Sequence, residues 1–213
     1  MAWGWYYCCM DFRDVVYARR MVRAYDPDRL VSRETVEGLI GLAIRAPSAG
    51  FSQGWHFLVL DTAESRARYW AMTTEGDQPD SWLRGMQDAP VLIVALSDKD
   101  AYLDRYAEPD KGWSDRAEDR WPVPYWDIDT GMASLLILLG ATDEGLASCF
   151  FGVPPGRHAA VKHEFGIPER LTIVGVISLG YGRPDRKSPS LRRGRRGLDQ
   201  VLDYERMAPS AEN

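Results

Sequence analysis

The chain has 213 residues, of which 45% are hydrophobic and 27% are charged, so its composition is that of an ordinary globular protein with room for a full core. The 26 Lys and Arg residues are outnumbered by 31 Asp and Glu residues, and the net charge of −5 disfavours a broad basic surface for nucleic acid. Three cysteines, Cys8, Cys9 and Cys149, offer no disulfide framework and favour a reducing, cytoplasmic compartment.

The chain is predicted to form one domain. Residues 1–9 are apolar, but they lack the charged start and cleavage site of a signal peptide and are too short to span a bilayer. We expect them to be a dispensable extension, and we expect residues 10–213 to form a single domain. No internal repeat or low-complexity block divides the rest.

Apolar periodicity predicts the secondary structure in chain order. Helices are expected over residues 11–20, after Ser32 as far as Ala43, and over 64–71, 127–143 and 156–165. Strands are expected over residues 56–60, 91–96 and 171–179. Because helices and strands mix without strict alternation, the pattern favours an α+β fold in which helices pack on a sheet.

Two of these segments carry further expectations. The helix over 127–143 is apolar on every side, which predicts burial all round, either in the core or in a dimer interface. Residues 97–124 are charged, aromatic and interrupted by Pro and Gly, which is typical of a long loop that covers a binding site.

The chain lacks the sequence motifs of several common nucleotide-binding and hydrolase classes. The phosphate loop G-x-x-x-x-G-K-[ST], the dinucleotide motif G-x-G-x-x-G and the hydrolase elbow G-x-S-x-G are all missing. His158 and His163 are five residues apart and so do not share a helical face for a metal, and His56 fits a structural role in a strand. We therefore predict no metal site.

Arginines concentrate in two places, at 19–23 and at 192–196. A guanidinium group offers planar, paired donors that match phosphate oxygens. The first group could instead be a solvated helix end, and the second a disordered or nucleic-acid-binding arm. The acidic background favours a small phosphate-bearing ligand held from both ends of the chain.

Three segments in order, ARRMVRAYDPD at 18–28, APSAGFSQGWHF at 46–57 and DTGMASLLILLGATDEGLASCFFGVP at 129–154, resemble the FMN-dependent nitroreductase family. The closing VGVISLGYGRP followed by RRGRRG also matches, so the resemblance covers nearly all of residues 10–207. It implies a central, mostly antiparallel sheet flanked by helices. It also implies a homodimer with intertwined termini that holds two FMN molecules between its subunits.

The resemblance also assigns cofactor contacts. Arg19 and Arg20 would hold the flavin phosphate, Arg193 and Arg195 would complete that grip, and Met21 stands where relatives often carry Ser. The remaining cofactor residues are expected to be Arg23 at the flavin N1–C2=O edge, Pro47, Ser48 and Ala49 from the partner subunit, Gln53 at the flavin or its ribityl chain, and Phe151 and Gly152 near N5. A cation at Arg23 would raise the flavin's reduction potential.

The chain departs from the family's commonest pattern at two positions. Phe51 stands where many members carry Asn, and Gly54 stands where many carry Pro before Trp55. Phe51 is expected to line the substrate slot together with Trp113 and Trp121. The two tryptophans could equally be surface aromatics of a loop or a dimer contact.

The implied function is an oxidoreductase that passes hydride from NADH or NADPH through flavin N5 to a nitroaromatic, quinone, enone or similar small acceptor. Such chemistry needs no dedicated acid or base, so no catalytic side chain is assigned. Alternatives on the same fold are an F420-linked or substrate-specific flavin dehydrogenase and a non-catalytic flavin-binding protein. The expected partners are a small acceptor and a second copy of the chain, with no nucleic acid and no membrane.

Overall fold

A computed structural model describes residues 10–74, 81–185 and 188–207, so the predicted extension at 1–9 lies outside the described residues. The helices are α1 (Phe12–Ala18), α2 (Arg33–Ala43), α3 (Ala63–Thr73), α4 (Ser81–Gln87), α5 (Lys99–Ala107), α6 (Tyr125–Asp143) and α7 (His158–Glu164). The strands are β1 (Trp55–Leu60), β2 (Val91–Asp98), β3 (Ala147–Phe151) and β4 (Leu171–Gly180).

The four strands form one antiparallel sheet in the order β1-β2-β4-β3. Strand β2 lies inside the sheet, and all eight of its residues are buried, as its unbroken apolar run predicts. A register shift between Ala95 and Leu96 marks a bulge where β2 meets β4. The α+β fold with a central antiparallel sheet is confirmed.

Helices cover both faces of the sheet. On one face, α2 and α6 pack with side chains of β2 and β4 such as Ile93 and Ile177. On the other, α3, α4 and α7 supply Trp70, Met86 and Val161 to a second cluster. Each of these large apolar side chains contributes about 1.5–3 kcal/mol when fully buried. Burial from both sides therefore fixes the sheet as the rigid centre of the molecule.

The expectation of an irregular 97–124 segment is wrong in its first part. Asp98 accepts a hydrogen bond from the Asp100 backbone N–H and begins helix α5, which buries Tyr102 and Leu103. The Pro and Gly residues that follow obscured this short helix because they lie within the same charged stretch. Only residues 108–124 are largely irregular, apart from a 3₁₀ turn at Glu118–Arg120.

Helix α6 confirms the predicted long helix but not its burial on all sides. One face packs into the core through residues such as Ala133 and Ile137. The opposite face leaves Ile128, Met132 and Leu135 exposed in the single chain. Among the helices of the described residues, none is long and apolar enough to cross a bilayer.

The segment after α1 runs along the free edge of β3. The Val22 N–H donates to the Ser148 carbonyl at 3.0 Å, and Met21 and Ser148 form a parallel bridge. The buried Tyr25 hydroxyl lies 2.8 Å from the Val22 carbonyl and 2.7 Å from Ser178 Oγ. These bonds hold the first arginine group beside the sheet.

Candidate cofactor site

Arg19 forms the C-terminal cap of α1, and its guanidinium turns inward. Its backbone N–H donates to the Val15 carbonyl at 2.9 Å. Its Nη1 atom is buried and has no hydrogen-bond partner. Leaving a buried donor unpaired costs about 1–3 kcal/mol, and more for a charged group. The site therefore provides a buried guanidinium nitrogen that lacks an acceptor.

Arg20 takes a different role. Its Nη1 donates to the carbonyls of Tyr17, Ala18 and Arg19 at 2.6, 3.2 and 3.0 Å. These are carbonyls that the end of α1 leaves without helical partners. Arg20 thus closes the helix, a structural task that the sequence did not predict. Because a guanidinium has five N–H donors, this use of Nη1 leaves others for an anion.

Arg23 lies further along the same edge and is half-buried. Its Nη1 donates to the Met21 carbonyl at 3.2 Å, and its backbone N–H donates to Asp185 Oδ2 at 2.8 Å. Burial raises the pKa of the Cys149 thiol in β3, and the positive charges of Arg23 and Arg19 oppose that shift. Both cations therefore act electrostatically on the same stretch of β3.

Met21, which stands where relatives often carry Ser, makes contacts of its own with the sheet. Its sulfur accepts a hydrogen bond from the Phe150 backbone N–H at 3.4 Å. Its side chain packs against apolar clusters on both faces of the sheet. Met21 therefore anchors the arginine segment to β3.

The strand end at 151–152 lies close to this segment. The Phe151 ring stacks on Trp70 with centroids 5.9 Å apart and an interplanar angle of 9°. A Cβ added to Gly152 would meet no atom within 4 Å, so the space over this backbone is open. The structure thus brings Arg19, Met21 and Arg23 to the same strand as the predicted N5 contact.

The predicted flavin loop, residues 47–53, lies elsewhere. It leads directly into β1, which is the opposite edge of the sheet from β3. Three interstrand spacings of about 4.8 Å separate the two edge strands, or about 14 Å. One chain therefore does not bring Pro47, Ser48, Ala49 and Gln53 to its own first arginine group.

The loop has an unusual backbone. Gly50, Phe51 and Gln53 have φ values of 61°, 58° and 52°, in the left-handed region. Ser48 Oγ accepts a hydrogen bond from the Gln53 N–H at 3.0 Å. The Phe51 side chain is 74% exposed, so a large aromatic ring projects from a strained turn.

The second arginine group lies on an exposed segment. The described residues from 189 to 207 are all exposed, Arg193 and Arg195 among them. Six large apolar side chains share this exposure: Leu191, Leu198, Val201, Leu202, Tyr204 and Met207. Within one chain the tail buries neither its cations nor its apolar groups.

Trp113 and Trp121 belong to an aromatic cluster on α5 and the start of α6. Trp121 lies at its centre, with ring centroids 4.6 Å from Tyr106 and 5.6 Å from Trp113. Tyr106 also packs against the flavin loop, since a Cβ on Gly50 would lie 2.6 Å from its ring. The cluster therefore connects the 108–124 segment to residues 47–53, and its contact with substrate stays a prediction.

The sequence reasoning assigned no role to two side chains that contact the loop, Asp129 and Arg105. The buried Asp129 carboxylate accepts hydrogen bonds from the Ala49 N–H and from the Tyr102 hydroxyl. Burial and the neighbouring Asp129 raise the pKa of Tyr102. Arg105 Nε donates to the Gly50 carbonyl at 3.0 Å. The sequence did offer one signal for Asp129: it is a charged residue within a helix that the apolar pattern predicts to be buried.

No group of three or more His, Cys, Asp or Glu side chains in the described ranges could hold a metal ion. The polar atoms of the site are instead guanidinium, backbone and hydroxyl groups. This donor set suits a phosphate-bearing organic molecule.

Comparison with known proteins agrees with this geometry. The model of the Nitroreductase family matches residues 16–181. An oxygen-insensitive NAD(P)H nitroreductase of Salmonella typhimurium is 31% identical over 91% of this chain and 99% of its own. A 4-nitrobenzoate reductase of Nocardioides sp. is 32% identical over 80% of each chain.

A solved structure shares the fold. A protein from Exiguobacterium sibiricum, crystallised in complex with FMN, has a TM-score of 0.70 with 22% identity and covers 92% of this chain and 98% of its own. With the family model matching well over half of the sequence, the comparisons and the fold agree. The chain belongs to the nitroreductase family and is an oxidoreductase of the nitroreductase type.

Proposed function

We propose that this protein binds FMN between two copies of itself and uses it to pass reducing equivalents from NADH or NADPH to a small planar acceptor such as a nitroaromatic, quinone or enone. The observation that carries this proposal is the buried, unpartnered Nη1 of Arg19 at the edge of β3. An acceptor that ion-pairs there would remove the desolvation cost described above.

The residues fit a flavin phosphate. Arg19 would supply the buried donor, Arg20 its donors that do not cap α1, and Arg193 and Arg195 the exposed cations of the tail. Each charge-assisted hydrogen bond is worth about 1.5–3 kcal/mol. Two or three of them account for sub-micromolar binding when the rest of the molecule also contacts the protein.

A second copy would complete the site. The flavin loop and the first arginine group lie at opposite edges of the sheet, so a two-fold partner can bring one subunit's loop to the other's arginines. The exposed apolar face of α6 and the exposed apolar tail supply surface for such an interface. These features support a homodimer with two equivalent sites.

When bound, FMN would supply the hydride and electron chemistry. The side chains would bind and orient it: Arg23 at the pyrimidine edge, Gln53 at the ring or ribityl chain, and Phe151 and Gly152 through the open backbone beside N5. Phe51 would present its exposed ring to the acceptor. We assign no side chain as acid or base. A free, buried Cys149 thiol supports the cytoplasmic location that we propose.

The test uses purified protein and its visible spectrum. We expect bound flavin that is identified as FMN after release, is bleached anaerobically by NADPH or NADH, and is reoxidised by 4-nitrobenzoate or a quinone. A released deazaflavin would favour the F420-linked alternative, and FMN that neither nicotinamide bleaches would favour a binding protein. Protein that binds no flavin at micromolar FMN would refute the proposal.

A further inference from the structure

We propose that Asp129 and Tyr102 are positioning residues that hold the 48–53 turn, in which Gly50, Phe51 and Gln53 are left-handed, for contact with FMN. The reference to FMN rests on the proposed function above. The positioning itself rests on contacts within one chain.

The turn needs an external hold. Three of its residues, Gly50, Phe51 and Gln53, have positive φ. For the two that are not glycine, the Cβ atom makes this conformation unfavourable. Phe51 is 74% exposed, so its own side chain buries too little to offset the cost. Such a conformation persists when the surrounding structure imposes it.

The Asp129 carboxylate fixes the turn to helix α6. It is 2% exposed, and its Oδ2 atom accepts from the Ala49 N–H and from the Tyr102 hydroxyl, both at 2.8 Å. A buried carboxylate with two donors is a strong and directional anchor. The residue that precedes the left-handed stretch is thereby fixed to helix α6.

Arg105 binds the turn at Gly50, the residue that follows Ala49. Its Nε donates to the Gly50 carbonyl at 3.0 Å, while its Nη1 and Nη2 bind the two oxygens of Asp110 at 2.7 Å each. The paired bonds to Asp110 fix the plane of the guanidinium. Donor and acceptor groups of the turn are thus bound from two directions.

Gly54 makes room for this arrangement. A Cβ at this position would lie 2.6 Å from the Tyr102 ring and 2.7 Å from the Asp98 carbonyl. Only a residue without a side chain lets Tyr102 pack here with its hydroxyl directed at Asp129. Gly54, which stands where many family members carry Pro, is therefore required for the Tyr102–Asp129 hydrogen bond.

Asp127 is the matched control. It lies in the same first turns of α6 and carries the same charge, but its Oδ1 accepts from Ser97 Oγ at 2.5 Å. The contacts of Asp129 to Ala49 and Tyr102 are not shared by this carboxylate. Substitution of Asp127 therefore reports on general damage to the helix start.

The first experiment measures hydrogen exchange of the 48–53 backbone in FMN-free, full-length protein. Asp129→Ala is expected to speed exchange at Ala49 by about tenfold or more, the loss expected when a buried charged acceptor is removed. Tyr102→Phe, which keeps the ring on Gly54, is expected to give a smaller increase. Asp127→Ala is expected to leave this exchange rate unchanged.

The second measurement is the dissociation constant for FMN. Asp129→Ala is expected to raise it about tenfold, whereas Asp129→Asn is expected to restore it, because an amide oxygen can accept both hydrogen bonds. Unchanged exchange at Ala49 in both Asp129→Ala and Tyr102→Phe would overturn the proposal, as would an equal effect of Asp127→Ala. Wild-type protein that binds no FMN would refute the proposed function, and the exchange data alone would then decide on the positioning role.

Discussion

Adjacent arginines of the same type have different roles in this molecule. Arg19 leaves a buried guanidinium nitrogen without an acceptor, while Arg20 closes the end of α1 with three hydrogen bonds to carbonyls. Helix α1 ends at Ala18, and the Arg20 side chain then turns back over the helix end, whereas Nη1 of Arg19 is buried. Ligand affinity and stability are therefore separable by single substitutions.

Arg19→Met is expected to leave the melting temperature of FMN-free protein unchanged or raise it, because it removes an unpartnered buried donor. The same change should raise the FMN dissociation constant about ten- to a hundredfold, equivalent to about 1.5–3 kcal/mol. Thermal melts with and without saturating FMN measure both effects, since bound ligand stabilises the native state.

Two controls separate the roles. Arg20→Met is expected to lower the melting temperature of FMN-free protein, because the helix end loses its cap. Arg13→Met removes a charge from an exposed position on the same helix and is expected to change neither quantity appreciably. Equal FMN affinity in Arg19→Met and wild-type protein would contradict the phosphate role.

At the scale of elements, the position of Arg23 depends on how closely α4 approaches the edge segment. A Cβ on Gly85 of α4 would clash with the Arg23 carbonyl oxygen and would lie 3.5 Å from the Ala24 Cα. A hydrogen at this position is therefore what allows the helix and the arginine segment to pack together. The helix was not predicted, because a glycine in a short polar-flanked run gives little periodicity.

Gly85→Ala is expected to destabilise the protein by about 1–3 kcal/mol through overpacking and to weaken FMN binding by displacing Arg23. Urea unfolding and flavin titration measure the two effects. Gly38→Ala, in the exposed side of α2 with no atom within 4 Å of the added Cβ, is the matched control. It should be neutral or stabilising by up to about 1 kcal/mol. Similar results for the two glycines would refute the close-packing argument.

At the scale of the whole molecule, one chain leaves apolar surface open on α6 and on the tail, as well as at other positions. Helix α6 exposes Ile128, Met132 and Leu135, and the tail over 188–207 exposes six large apolar side chains. The candidate cofactor residues are likewise divided between opposite edges of the sheet. A two-fold assembly would cover the apolar surface and unite the divided site, and this supports our proposal that assembly and cofactor binding are coupled.

Leu135→Glu is expected to dissociate the proposed dimer, because each two-fold interface would contain the substitution twice. Burial of a leucine is worth about 1.5–3 kcal/mol, so the loss per dimer is about 3–6 kcal/mol before the cost of the charge. Sedimentation velocity measures the assembly, and flavin content per chain should fall with it. Leu30→Glu changes an exposed leucine outside α6 and serves as control. A stable, flavin-loaded dimer of Leu135→Glu would exclude this face as the interface.

Much of the fold was predictable because the local pattern of apolar and capping residues indicates its helices and strands. The apolar run of β2, the serine cap before α2 and the long apolar stretch of α6 each predict their element from neighbouring residues alone. The clustering of arginines at 19–23 already favoured a phosphate-bearing ligand, and the resemblance to the nitroreductase family assigned their flavin contacts and added the 47–49 loop. Helix α5 was missed because its aromatic and charged residues resemble the loop that follows it.

The sequence by itself determined the fold class, the main helices and strands and the residue types available for a phosphate-bearing cofactor, since these depend on side-chain pattern along the chain. Only the tertiary structure decided that Arg19 is left without an acceptor while Arg20 caps a helix. It alone placed Asp129 under Ala49, 80 residues away in the chain, and put the two halves of the site at opposite edges of the sheet. Distances between such remote residues follow from strand order and helix packing, which no local periodicity encodes.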